Sequence, residues 1–514
     1  MKTAICRILI LFARFLITID GAKILAVEPV ALKSHWNFFH PLLKTLSTRH
    51  QVTVLTPFPT GNNVNYTEFD TSQCLPMHVA QDLNTSMDVF GSPEKAVSIT
   101  YKTNRNFCNA LYKMKSIHHI LDGTEQFDVI ISEYRQAESL CYTKLRSSLS
   151  PIQIFVIASP TFAWKEPKLF GTRSNPSFEP NLFLKQSTPN YFIERLTNTA
   201  LLLKSSLATW YIDVVRVFED VPEKLSDSGN IIEAPSLLFS NTHYVTEPPR
   251  KFPTNLIQIG GIHLTTSKPL PQDILEFIEN SPHGVIYFTF GSVVSMSTLP
   301  DHIQKAFKEA LAQVPQRVLW KYEGEMKDKP ANVMTSKWFP QRDILLHPNV
   351  KLFISHGGIS GVYEAVDAGV PVLGFPLFYD QPRNIENLVE AGMAISLDLL
   401  KVTKKPFLDA VTELINNKSY AENAKITSER FKDRPMTPAE SVVYWTEYVI
   451  RHKGAPHLRS HALDLTWYQY FLLDVIAALL LALSIAGYVA YKVLKLIYSL
   501  ASGQLLKNTK HKAE

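Results

Sequence analysis

Residues 350–375 read VKLFISHGGISGVYEAVDAGVPVLGF, and the alternation in this stretch decides the fold. An apolar, β-branched run ends at Ser355. The loop His356-Gly357-Gly358 follows, a helical segment covers about 359–368, and VPVLGF (370–375) is a second strand. A helix between two such strands is a βαβ unit, whose crossover is right-handed and whose strands are parallel. The loop sits over a strand's carboxyl end and opens a helix, where free N–H groups and the helix dipole favour phosphate. Glycines there let backbone approach an anion, and a histidine adds a donor. A tight strand-to-helix turn reads the same way, so Gly-Gly alone is weak.

The same alternation extends in both directions. NLIQIGG (255–261), GVIYFTFGS (284–292), a helix near 299–313, RVLWKY (317–322) and a helix from about Arg383 surround the central unit. Upstream, KILAVEP (23–29), a helix in FFHPLLKTLSTRH (38–50), QVTVLTP (51–57), FDVIIS (127–132) and IQIFVIAS (152–159) repeat the scheme. Pro41 is tolerable only near a helix start. Residues 160–235 break the pattern with prolines and then give an amphipathic helix at 200–218, read as packing on the core. The expected architecture is α/β, with two facing doubly wound, Rossmann-like domains joined near 245–255. Ligands of such sheets bind at the strands' carboxyl ends, so a cleft with one ligand per domain is expected.

The chain has 514 residues, 46% hydrophobic and 19% charged, with a formal charge of +5. That is room for two or three domains, and neither disorder nor a nucleic-acid partner fits. Residues 1–22 carry Lys2 and an apolar run broken by Arg7 and Arg14, too short and interrupted to span a bilayer. A cleaved secretory signal is expected there. Phe471 to Tyr491 is apolar except for Asp474, follows Trp467, Tyr468 and Tyr470, and precedes a lysine-bearing tail. It reads as a transmembrane helix with lumenal bulk and cytosolic tail. The expected divisions are a signal at 1–22, domains at 23–250 and 251–440, a connecting segment at 441–469, a span at 470–491 and a tail at 492–514. Asn65, Asn84 and Asn417 head N-x-S/T sequons. After signal removal Cys74, Cys108 and Cys141 remain, whose pairing the sequence leaves open. No metal-ligand spacing occurs.

The signature FISHGGISGVYEA…GVPVLGFPLFYDQ, preceded by WFPQ (338–341), closely resembles that of UDP-glycosyltransferases of the GT-B fold. The resemblance spans nearly the whole chain, from SHW near the mature N-terminus through FTFGS to the single span and lysine tail. The approach WYQYFLLDVIA (467–477) is similar to insect members in particular. The resemblance implies roles. Trp338 stacks on uracil and Gln341 bonds the nucleoside. Gly291, Ser292, His356, Gly357, Gly358 and Gly361 hold or make room for the diphosphate. Glu364 accepts both ribose hydroxyls, and Asp380 and Gln381 bond the sugar.

It further implies His35 as general base, oriented by Glu133 at the end of FDVIIS; the family more often has aspartate there. Histidine suits this task near neutral pH, and a carboxylate behind it fixes the tautomer. The implied reaction is inverting and metal-independent, with a UDP-sugar as co-substrate and no cofactor. The donor is UDP-glucose or UDP-glucuronate, glucose being favoured by the insect likeness. The acceptor is a small lipophilic phenol, steroid, flavonoid or similar molecule. Homo- or hetero-oligomers remain open. KHKAE at the C-terminus resembles a dilysine retrieval signal, which implies a single-pass type I protein of the endoplasmic reticulum. Two other readings are a low-turnover UDP-sugar-binding partner and a transferase acting on a membrane lipid.

Overall fold

The computed structural model describes residues 21–74, 82–85, 107, 110–133, 152–158, 171–172, 174–181, 183–186, 188–218, 235–247, 250–292 and 294–510. Residues 1–20 of the expected signal, Cys108 and Cys141 lie outside them.

The first sheet contains β1 (Lys23–Val27), β2 (Gln51–Thr56), β3 (Tyr66–Asp70), β4 (Val129–Glu133), β5 (Ile152–Ile157), β6 (Leu237–Ser240) and β7 (Leu256–Gln258). Its spatial order is β3-β2-β1-β4-β5-β6-β7, with every pair parallel. Helix α1 (Lys33–Ser47) links β1 to β2, and α2 (Phe192–Phe218) lies between β5 and β6. The second sheet contains β8 (Val285–Thr289), β9 (Arg317–Lys321), β10 (Val333–Ser336), β11 (Val350–Ser355), β12 (Val372–Gly374) and β13 (Ala394–Ser396). Its order is β10-β9-β8-β11-β12-β13, again parallel throughout. The helices that follow are α3 (Asp301–Leu311), α4 (Gln341–Leu345), α5 (Ile359–Ala368), α6 (Gln381–Glu390), α7 (Lys404–Asn416), α8 (Pro438–Arg451) and α9 (Leu473–Lys510).

Parallel sheets need both faces covered, which is why these strands are apolar runs rather than alternating ones. In β8, Ile286 and Phe288 enter one core with Phe307 of α3 and Phe407 of α7, while Val285 and Tyr287 enter another with Val362 of α5. In β1, Ile24 and Ala26 pack with α1, and Leu25 and Val27 pack on the opposite face. Each large buried side chain of this kind contributes about 1.5–3 kcal/mol over its exposed state.

In each sheet the strand order reverses once, between β1 and β4 and between β8 and β11. These are the switch points at which doubly wound sheets open a crevice. The two halves are tied together by buried contacts. Arg383 of α6 pairs with Glu247 at 3.1 Å, and the Tyr363 hydroxyl lies 2.7 Å from that of Thr246.

Three features differ from expectation. Helix α1 starts at Lys33 rather than Phe38, so Pro41 is internal and His35 lies in the first turn, not in a loop. Burial of Trp36, Phe38, Phe39, Leu42, Leu43 and Leu46 outweighs the backbone hydrogen bond that Pro41 removes. Helix α2 starts earlier than expected, and Leu203, Leu207, Trp210 and Tyr211 are exposed rather than packed in a core. The first part of 441–469, expected as a connecting segment, belongs to α8 as far as Arg451. That helix begins with a Thr437/Glu440 capping box and buries Val442 and Val449 in the core beneath α1 and β6 of the first sheet.

Residues from Ser460 form a separate unit. Within it, Leu473–Ser502 is a 30-residue apolar stretch of mean hydropathy 2.2, long and apolar enough to cross a bilayer. The helix continues past the expected end at Tyr491, through Lys492 and Lys495, to Lys510.

Candidate active site

A cavity of about 370 Å³ is lined from both halves. Its walls include His35 from the first sheet and Gly291, Ser292, Trp338, Gln341, His356, Gly358, Gly361, Glu364, Asp380 and Gln381 from the second. Of the residues expected at the site, Glu133 and Gly357 stand behind the wall rather than in it.

On the first-sheet side, β1 delivers the chain into α1, and β4 ends on Glu133 beside it. His35 Nδ1 lies 2.5 Å from Glu133 Oε1, with Glu133 almost wholly buried and His35 slightly exposed. A carboxylate on Nδ1 fixes the proton there and leaves Nε2 as the nitrogen able to accept one. Glutamate's extra methylene therefore does not prevent contact with the imidazole.

On the second-sheet side, Gly291 and Ser292 follow β8, and His356, Gly357 and Gly358 follow β11, on opposite sides of the switch point. Gly358 caps α5 without offering a side-chain acceptor, so the first-turn N–H groups remain for an anion. The glycines serve packing as much as anion approach. A Cβ on Gly291 would lie 2.7 Å from His356 Cε1, one on Gly358 2.6 Å from Nε2, and one on Gly357 2.5 Å from Ile385. The His356 ring is seated between two glycines. Burial, and then the Lys321 charge, lower its pKa to about 4, so it is a neutral imidazole at physiological pH. Its buried Nδ1 has no partner among the described residues.

Gln341 opens α4 and donates to Glu364 Oε2 at 2.5 Å. Burial raises Glu364 to about 7, against the lowering effect of that hydrogen bond. Trp338, just before α4, is 63% exposed, leaving its indole face open to a stacking partner. Asp380 caps α6 and accepts from Asn384 Nδ2 at 2.7 Å. Burial raises its pKa, and His35 is among the opposing charges it feels across the cavity. Gln381 accepts from Leu377 and Phe378 N–H through Oε1, which leaves its amide N–H groups for a ligand.

Two residues escaped the sequence reading. Lys321 ends β9, is buried, pairs with Glu323 and lines the cavity beside His356. Glu28, directly after β1, is fully buried next to Glu133. Both stand at strand carboxyl ends, the signal that located their neighbours. Among the described residues, no group of three or more His, Cys, Asp or Glu side chains is placed to hold a metal ion. Asn65, Asn84 and Asn417 are all exposed, and Cys74 is a buried free thiol.

Two parallel sheets with a shared cavity at their switch points are the architecture of the GT-B fold. Solved structures agree on the fold: the glycosyltransferase VinC in complex with dTDP aligns with TM-score 0.54 at 15% identity, covering 84% of this chain and 100% of that one. The glycotransferase of kitacinnamycin aligns with the same score and identity, over 85% and 100%.

Sequence comparison narrows the class. A family profile described as "UDP-glucoronosyl and UDP-glucosyl transferase" matches residues 27–508. UDP-glucosyltransferase 2 of Dactylopius coccus is 40% identical over 92% of both chains. UDP-glucuronosyltransferase 2B1 of Rattus norvegicus is 35% identical over 73% of this chain and 71% of its own. The chain belongs to the UDP-glucuronosyl and UDP-glucosyl transferase family and is a UDP-glycosyltransferase.

Proposed function

We propose that the chain transfers glucose from UDP-glucose to a hydroxyl of a small lipophilic acceptor, with inversion, using His35 as general base. The observation that carries this reading is the His35–Glu133 pair at 2.5 Å, facing Asp380 across the donor cavity. In the reaction the acceptor oxygen attacks the anomeric carbon while His35 Nε2 takes its proton. Glu133 holds Nδ1–H and stabilises the imidazolium that forms. UDP leaves from the opposite face, so an α-linked donor gives a β-glycoside. The first turn of α5, Ser292, His356 and Lys321 receive the diphosphate charge; Glu364 takes the ribose hydroxyls, Trp338 the uracil, and Asp380 and Gln381 the sugar.

Glucose over glucuronate is supported by the 40% identity to an insect UDP-glucosyltransferase and by the charges lining the donor side. Lys321 and Arg342 there are already paired with Glu323 and Asp367, and Asp380 adds a carboxylate. Among the described donor-side residues, a sugar carboxylate would meet no lysine or arginine that is not already ion-paired; Lys33 lines the cavity from the first-sheet side. We further assign the chain to the endoplasmic reticulum as a single-pass type I protein, glycosylated at Asn65, Asn84 and Asn417 and anchored by α9. The test is competition of UDP-glucose against UDP-glucuronate over a phenol and steroid panel, with products weighed by mass spectrometry. Hexosides should dominate; glucuronides in excess would overturn the donor assignment.

A further inference from the structure

Behind His35 stand two carboxyl groups, not one. The β1–β4 register pairs Val27 with Ser132, so Glu28 and Glu133 follow side by side at the ends of neighbouring parallel strands. Glu28 is 0% exposed and Glu133 1%. Glu28 Oε1 accepts from the Val30 N–H at 2.8 Å, and Glu133 Oε1 meets His35 Nδ1 at 2.5 Å. The second oxygen of each group, Oε2, is buried and meets no N–H or O–H donor among the described residues. The two side chains are close enough for each to feel the other.

Two ionised carboxylates in that position offer only acceptors to each other and repel, at the cost of burying two charges. His35, as the base, offers them only its Nδ1–H, and among the described residues no lysine or arginine pairs with either carboxyl. Asp380, facing His35 across the cavity, adds further negative charge. A single proton removes the conflict, since it turns one acid into a donor for the other.

We propose that Glu28 is a positioning residue that holds this proton and donates it to Glu133, so that one ionised carboxylate, aimed by a carboxylic acid, faces His35. Burial of Glu28, and then the charge of Glu133, both raise its affinity for the proton, while the Val30 N–H opposes them. The proton stays on the pair through turnover; the acceptor's proton goes to His35 Nε2. The longer glutamate at 133 is thereby held at both ends, by Glu28 on one side and the imidazole on the other. This role rests on His35 being the base.

The test uses the full-length protein in detergent, as wild type and as Glu28→Gln, Glu28→Leu and His35→Ala. Infrared difference spectra at pH 7, wild type minus Glu28→Gln, should contain the C=O stretch of a buried protonated carboxyl. Glutamine keeps the shape and the donor, so Glu28→Gln should retain kcat within about threefold, whereas Glu28→Leu, losing a hydrogen bond to a charged group, should lose roughly tenfold or more in kcat with the UDP-glucose KM unchanged. Absence of the infrared band overturns the proposal, as does Glu28→Gln falling as far as Glu28→Leu. Should Glu28→Leu not fold, the band and the kcat of Glu28→Gln decide. The dyad reading fails separately: it falls if His35→Ala stays active. With His35→Ala inactive and Glu28→Leu at wild-type kcat, the dyad stands and the Glu28 role falls.

Discussion

The two halves of the cavity are built by the same topology and used in opposite ways. In the second half, eight expected residues reach the wall from one continuous stretch and its near neighbours, from Trp338 to Gln381, with only Gly291 and Ser292 supplied from further upstream. In the first half the expected chemistry is one histidine, and what controls it is buried behind it: Glu133, then Glu28. Donor binding is spread over many polar contacts with a ligand of fixed structure. In the proposed mechanism, proton transfer is concentrated on one nitrogen whose orientation depends on groups that never touch substrate. Substitutions in the first half should therefore act on kcat, and those in the second mainly on the KM for UDP-sugar.

The largest separation is expected from Glu133→Gln. An amide cannot fix the Nδ1–H tautomer of His35 as a carboxylate does, and a fall in kcat of about 10²–10⁴ with little change in donor KM is expected. Steady-state kinetics with UDP-glucose varied at saturating acceptor measures it; a pure KM effect breaks the comparison.

Next comes Glu364→Ala, which removes the acceptor proposed for the ribose hydroxyls. Hydrogen bonds to a charged group contribute about 1.5–3 kcal/mol, so the donor KM should rise roughly 10- to 100-fold while kcat changes little. Calorimetric titration with UDP checks the same loss without an acceptor.

The pH dependence sharpens this further. Burial raises Glu364 to about 7 in the free protein, and its proposed role toward the ribose hydroxyls requires the ionised form. Donor binding is then near full strength at pH 8 and weakens as pH falls through 7, by roughly tenfold at pH 6. The slope should vanish in Glu364→Gln.

Smallest is Gly291→Ala. Its φ of +77° disfavours a side chain, and the new Cβ would press on the His356 ring. A loss of about 1–3 kcal/mol in stability is expected from the strained backbone, with weaker UDP binding as the ring shifts. Thermal unfolding with and without UDP separates the two contributions.

Much of this was legible in the sequence. The apolar runs fixed the strands because a parallel sheet buries both faces, and the carboxyl-end rule brought His35 and His356 to one cavity with Glu133 behind His35, while Asp380 came from the family resemblance alone. What escaped depended on distant packing. Pro41 read as a helix start because its aromatic neighbours' burial is a tertiary effect. Nothing local in 438–451 tells an amphipathic helix that its partner is the first sheet rather than the second. The exposed side chains of α2 share their apolar period with a core helix. Gly291 and Gly358 read as anion contacts, whereas their tightest requirement is room for an imidazole contributed by another loop. Glu28 read as the tail of a strand, because its neighbour Glu133 lies far away in sequence.

The central claim is the division of labour between the halves, and His35→Ala tests it most directly. In one preparation, UDP affinity is measured by calorimetry and turnover with UDP-glucose on the phenol that the unmodified protein glycosylates fastest. The expected result is wild-type UDP affinity with turnover reduced by at least about 10². Retained turnover, or loss of UDP binding together with turnover, would contradict it.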